Sequence, residues 1–319
     1  MSDLRVVFMG TPEFAVTIMD KLVQEKMNVV GVVTAPDKPS GRGRKINQSA
    51  VKQYAVENNL NVLQPTNLKD PEFISELRAL NADVFVVVAF RMLPEVVWAM
   101  PPKGTINLHA SLLPNYRGAA PINWAIINGE TESGVTTFFI EKEIDTGKII
   151  EQSKVNIGPD ETVGQLYERL MHLGADVMLH TLLNLDTGMA NATSQDELMQ
   201  QDFKPAPKIF KQDCIINFNQ PVESVHNFCR GLSPYPAAWC MITDESKQET
   251  KTFKIFGTKV SDQPVDNTSA LISSSEGILF PCKDYYLIAT EIQPEGKRRM
   301  HFKDYLAGNS IENLTVATV

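Results

Sequence analysis

VFVVVA, residues 84–89, is the stretch on which the fold turns. Five of its six side chains are β-branched or aromatic, and no polar residue interrupts them. A strand exposed on one face alternates apolar with polar, whereas an unbroken run of this length suits a strand covered on both faces. The neighbours agree. Residues 4–9 and 29–34 read as further short apolar strands. Residues 14–26 and 71–80 have helical spacing, the latter opened by Pro71. Strands at 105–109 and 135–139 and a long amphipathic helix at 162–185 continue the alternation. Strands alternating with helices predict an α/β architecture with a doubly wound, mostly parallel, Rossmann-like sheet. Ligands of such sheets bind beyond the carboxyl ends of the strands. At one such end stands INLHASLLPNYRGAAP, residues 106–121. Asn107 and His109 are two residues apart on a strand, so their side chains point the same way.

The chain has 319 residues, enough for two domains. Residues 1–188 are read as the catalytic domain and 189–207, polar and carrying Pro205 and Pro207, as a linker. Residues 208–319 hold short strands, the first at 215–218, turns and one helix at 221–230, which predicts a second, smaller, OB-like β-barrel domain. The N-terminus lacks a signal-peptide pattern, and no apolar run approaches a membrane span. A cytoplasmic, monomeric protein without membrane association or an obligatory protein partner is expected. Four cysteines form no Cys-x-x-Cys pair and have no histidine cluster beside them, so no metal is expected. Net charge is −8, which argues against broad nucleic-acid binding. Residues 34–49, TAPDKPSGRGRKINQS, read as a Gly- and Pro-rich loop after the second strand and run the other way: Lys38, Arg42, Arg44 and Lys45 stand against Asp37 alone. Local patches of this kind steer partners irrespective of the total charge.

The Gly10-Thr-Pro-Glu turn after the first strand invites a dinucleotide reading. Neither the Gly-x-Gly-x-x-Gly spacing nor a phosphate-binding Gly-x-x-x-x-Gly-Lys-Ser/Thr run is present, so a nicotinamide oxidoreductase is disfavoured. The chemistry must come from side chains. A lone Asn or His at a strand end most often only satisfies a local hydrogen bond. Here the two share a face at the ligand end of the sheet, and Asp145 lies in a second loop, IEKEIDTGKII. An amide donates to a developing oxyanion, and a carboxylate orients an imidazole. Together they form an acyl-transfer set without a protein nucleophile. Ser111 sits before Leu-Leu-Pro, not in a nucleophile elbow. The acceptor is therefore expected to be an amine on the substrate.

Asn107 followed by HASLLPNYRGAAP, with DTG some thirty-five residues on, resembles the folate-dependent formyltransferase family. VVFMGTPEFA at 6–15, TAPDKPSGRGRK at 34–45 and PYPAAW at 234–239 extend the resemblance over nearly the whole chain. It implies 10-formyltetrahydrofolate as co-substrate and the α-amino group of methionine on the initiator tRNA as acceptor, in translation initiation. It also implies Asn107, His109 and Asp145 as the catalytic trio. Ser111, Leu112, Leu113 and Pro114, with Phe90 and Met92, are implied folate contacts. In that loop Phe90-Arg91 replace the family's usual Tyr-Gly. Lys38, Arg42, Arg44 and Lys45 are implied tRNA contacts, with the barrel as a tRNA-binding domain.

Overall fold

The computed structural model describes residues 3–40, 45–198, 203–266 and 269–317. It divides into two compact units: residues 1–118, 134–155 and 168–205 form one, and 119–133, 156–167 and 206–319 the other.

The first unit opens with β1 (Arg5–Gly10) and α1 (Glu13–Gln24). Helix α1 buries Phe14, Ile18 and Leu22 at four-residue spacing, plus Ala15 and Met19. Each large side chain so buried contributes about 1.5–3 kcal/mol. Next come β2 (Asn28–Val33), a hairpin of β3 (Lys38–Ser40) and β4 (Lys45–Asn47), and α2 (Ala50–Glu57). Ser49 caps α2 by accepting from the Lys52 backbone N–H at 3.1 Å. The basic segment, read from sequence as an open loop, is thus a short antiparallel hairpin in its described part. After β5 (Val62–Leu63), α3 (Pro71–Ala79) begins with Pro71 behind the Asp70 cap.

Strand β6 (Val84–Val88) is buried at all five positions, as the unbroken apolar run predicts. The short α4 (Glu95–Trp98) leads to β7 (Thr105–His109). Helix α5 (Pro121–Ile127), which belongs to the second unit, is followed by β8 (Glu132–Phe139), β9 (Ile149–Asn156) and the long α6 (Val163–Asp186). The strand order is β5-β2-β1-β6-β7-β8-β9. Strands β5 through β7 pair in parallel, and β8 runs antiparallel to β7, opposing His109 to Thr136. From β1 the chain builds outward on one side and then returns to the other, so the switch in strand order falls between β1 and β6. Gly10 ends β1 there. A Cβ on it would lie 2.6 Å from the Ala15 Cβ and 3.0 Å from the Val88 carbonyl, so the glycine serves close packing of strand on helix.

In the second unit, α7 (Val222–Gly231) is followed by β10 (Ala238–Asp244), β11 (Glu249–Pro264), β12 (Ile272–Ser273), β13 (Ile278–Pro281) and β14 (Tyr285–Pro294). Then come β15 (Met300–His301), α8 (Phe302–Leu306) and β16 (Leu314–Val316). The antiparallel order is β12-β13-β14-β11-β10-β16, with β15 on β14. Residues just before β12 return to the far edge: Leu271 N–H donates to Leu314 O at 2.9 Å and Val316 N–H to Ser269 O at 2.9 Å. The sheet thereby curls into a small barrel. Residues 215–218, expected as a strand, make one bridge, Ile215 to Trp239. Phe218 stacks on Phe280 inside, and Phe253 and Phe256 are buried. All four cysteines are buried and unbridged, and burial pushes the Cys282 thiol up to about 12. No helix among the described residues is long and apolar enough to cross a membrane.

Candidate active site

Strand β7 ends in Asn107, Leu108 and His109, with Leu108 buried and Asn107 half-buried. His109 is buried too, so its ring nitrogens require partners. Nε2 lies 2.8 Å from the Tyr116 carbonyl and Nδ1 3.9 Å from Asp145 Oδ2. The amide of Asn107 meets no hydrogen-bond partner among the described residues. Asp145 accepts the Gly118 N–H at 3.0 Å on the same oxygen that faces His109.

The loops carrying these groups hold unusual backbone. Ala89 after β6 (φ +46°), Tyr116 after β7 (φ +62°) and Asp145 (φ +56°) are left-handed without being glycine. Such residues cluster where a fold spends stability on positioning a site. Gly147 closes the Asp145 turn. A Cβ on it would fall 1.7 Å from the Phe139 carbonyl oxygen, so no other residue fits there.

The SLLP segment is fixed from behind. Ser111 is fully buried and its Oγ donates to Asn115 O at 2.8 Å. Thr136 Oγ1 donates to Ser111 O at 2.6 Å and accepts from Leu113 N–H at 3.2 Å. Gln152 Nε2 donates to Leu113 O and Thr136 Oγ1, both at 2.8 Å. Leu112 lies against the Cα of Gly134, and the Leu113–Pro114 peptide is cis.

An open cleft of about 700 Å³ is bounded by residues 66–69 and 91–96. Met92 projects into it, 72% exposed. Phe90 instead is half-buried, packed against the core beside β6, with the Arg91 guanidinium 5.6 Å above its ring. Arg91 donates to the carbonyls of Pro65 and Thr66, so its side chain braces the cleft wall. Asn107, His109 and Asp145 are not part of this wall.

Lys38 stands exposed on β3, and Lys45 starts β4. Arg42 and Arg44 lie outside the described residues. Asp37, the one acid of that segment, binds Lys52 Nζ at 2.5 Å and Gln64 Nε2 at 2.8 Å, and the ammonium holds its carboxyl below the usual range. Among the described residues no group of three or more His, Cys, Asp or Glu is placed to hold a metal ion.

Sequence reasoning missed Gln195, Arg117 and the buried face of α7. Gln195, 1% exposed, donates to the carbonyls of Asp145 (2.9 Å) and Gly147 (2.8 Å). Arg117 donates twice to its Oε1, at 3.0 and 2.6 Å. On α7, His226 lies 2.9 Å from Thr258 Oγ1 and 3.3 Å from Pro159 O, and Arg230 donates to the carbonyls of Gly158 and Glu161.

A buried imidazole thus faces a carboxylate at the carboxyl end of an α/β sheet, in a chain that also carries a small β-barrel. Residues 4–182 match the family model described as formyl transferase, and 208–310 that described as formyl transferase, C-terminal domain. The chain belongs to the formyl transferase family. It is 51% identical over 309 residues to the methionyl-tRNA formyltransferase of Flavobacterium johnsoniae, covering 97% of each chain. It is 48% identical over 309 residues to the methionyl-tRNA formyltransferase of Bacteroides fragilis, covering 96% of this chain and 95% of that one. The N-formyltransferase from Helicobacter canadensis in complex with folinic acid and dTDP-3-aminofucose shares the fold: TM-score 0.63 at 20% identity, over 90% of this chain and 98% of that one.

Proposed function

We propose that this enzyme transfers a formyl group from 10-formyltetrahydrofolate to the α-amino group of methionine on initiator methionyl-tRNA, in the cytoplasm, for translation initiation. The observation that carries the reading is the set of Asn107 and His109 leaving one strand, with Asp145 Oδ2 at 3.9 Å from the imidazole, inside a unit matching the formyl transferase family.

The neutral amine attacks the formyl carbon, and negative charge grows on the formyl oxygen. Asn107 and the Nδ1–H of a protonated His109 donate to that oxygen, Nε2 being engaged by Tyr116 O, while Asp145, 3.9 Å from Nδ1, orients the imidazole. The bond from the formyl carbon to the folate nitrogen then breaks, and the proton lost by the new ammonium reaches that nitrogen through a water, or by His109 giving its own proton to the folate nitrogen and taking the ammonium's. The backbone around Ser111, Leu112, Leu113 and Pro114 and the side chain of Met92 bound the folate, with Phe90 supporting that wall from the core. Lys38, Arg42, Arg44 and Lys45 hold the tRNA, and the barrel serves as a tRNA-binding domain.

One preformed oxyanion donor is worth ~10²–10³ in rate. Asn107→Ala and His109→Ala are therefore expected to fold normally and lose at least that factor in kcat. The assay supplies 10-formyltetrahydrofolate and charged initiator tRNA, with glycinamide ribonucleotide as control acceptor. Wild-type turnover by either folded variant would reject the assignment, and preference for the small amine would reject the acceptor.

A further inference from the structure

We infer that Gln195 is a positioning residue for the transfer reaction: it clamps the turn that carries Asp145 onto the segment that holds His109. The inference rests on the catalytic reading of Asp145 proposed above.

Three consecutive residues after β7 divide the work. Tyr116 O meets His109 Nε2 at 2.8 Å, and Gly118 N–H donates to Asp145 Oδ2 at 3.0 Å. Between them, Arg117 sends Nε and Nη2 to Gln195 Oε1. Gln195 then donates through Nε2 to the carbonyls on both sides of Thr146. Asp145 is thereby held twice, at its carboxylate by residue 118 and at its backbone by Gln195.

The second hold matters because the turn resists its own conformation. Asp145 is left-handed, and Gly147 is pressed against Phe139 O. Without the amide, two inward carbonyls lose their donor, and the turn is free to relax away from β7. The charged Arg117 polarises the Gln195 amide and strengthens both donations. Its guanidinium also lies 5.5 Å from the Phe203 ring, which fixes the anchor on a second side. Gln195 itself sits in a one-turn 3₁₀ segment, Gln195–Glu197, capped by Ser194. Residues 189–198, read from sequence as linker, thus supply part of the catalytic unit's frame.

Two variants separate clamping from bulk packing. Gln195→Ala removes all four hydrogen bonds. Gln195→Glu keeps the acceptor for Arg117 and turns an oxygen toward the two carbonyls, so it breaks only the hold on the Asp145 turn. Displacement of a catalytic group by about 1 Å costs ~10²-fold. Both variants are expected to lose roughly 10- to 100-fold in kcat, with the KM for methionyl-tRNA and for 10-formyltetrahydrofolate within about twofold. Thermal melting and circular dichroism establish that each is folded. A folded Gln195→Glu with wild-type kcat overturns the inference, and so does a loss confined to KM. Asp145→Ala is assayed alongside. If it is inactive while the Gln195 variants keep kcat, the clamp alone falls; if it turns over normally, the catalytic reading falls first.

Discussion

At Gly147 the tolerance of the site for change is smallest. A methyl group there would overlap the Phe139 carbonyl at 1.7 Å, and that carbonyl belongs to backbone, which has nowhere to go. Gly147→Ala must therefore push the 145–147 turn outward. The turn bears Asp145, so the displacement separates the carboxylate from His109. The expected outcome is a stability loss of about 1–3 kcal/mol from overpacking, together with a fall in kcat of ~10²-fold or more. Thermal denaturation and single-turnover rates measure the two losses. Near-wild-type kcat in this variant would mean that the position of Asp145 is not critical. Gly10, equally close-packed at the switch in strand order, makes a contrasting case. Its neighbours are Ala15 and the end of β6, so Gly10→Ala is expected to cost stability first and activity only as the carboxyl ends of β1 and β6 are forced apart.

Helix α7 shows how an element acquires a property its own sequence does not display. Its apolar side, Val222, Val225 and Cys229, enters the core of the second unit, as helical spacing requires. Its other side is also buried, because His226 and Arg230 meet the carbonyls of residues 158–161. Burial holds the His226 imidazole below its ordinary value, and the Arg230 charge acts in the same direction. Pro159 O, Asp160 and Glu223 oppose them without prevailing. The folded state therefore binds fewer protons than the unfolded chain as pH falls through about 6.5, the value expected once unfolded. The stability due to His226 is present above that pH and is lost as pH drops toward the depressed folded value. Melting temperature between pH 7.5 and 5.5 is expected to fall more steeply for the wild type than for His226→Gln; parallel curves would show that His226 does not titrate as burial dictates. The same element marks the limit of what sequence makes legible. Strands β1 and β6 are visible because burial on both faces is written in consecutive residues. Asn107 and His109 are visible because a two-residue spacing fixes their common side. The contacts of His226 and Arg230 reach residues 158–161, 67 to 72 positions away, and nothing local announces them. Gln195 is hidden for the same reason: an amide in a polar stretch has no periodicity to betray it. In residues 34–49 the prolines and glycines suggested a loop, yet the register Lys38–Asn47 and Ser40–Lys45 makes a hairpin.

For the molecule as a whole the physical question is how a chain of net charge −8 engages a polyanion. Repulsion over the full surface sets in at long range, and salt screens it within about 10 Å at 0.1 M. Attraction must come from a short, dense patch, and residues 34–49 carry +3 (four cations against Asp37) in sixteen positions. Asp37 is itself engaged by Lys52, so its charge is already countered from outside the segment. A few phosphate contacts of this kind release bound counterions, which makes association steeply salt-dependent, whereas recognition of a small folate by backbone and apolar groups is not. The expected outcome is that log(kcat/KM) for methionyl-tRNA falls linearly with log[salt] between roughly 50 and 200 mM, while the KM for 10-formyltetrahydrofolate changes far less. Arg42→Ala is expected to raise the tRNA KM and to reduce that slope by about 1, the signature of one lost phosphate contact. A slope unchanged in Arg42→Ala would move the tRNA contact away from this hairpin. An equal loss for folate and tRNA would mean that the residue shapes the catalytic site and does not grip the nucleic acid.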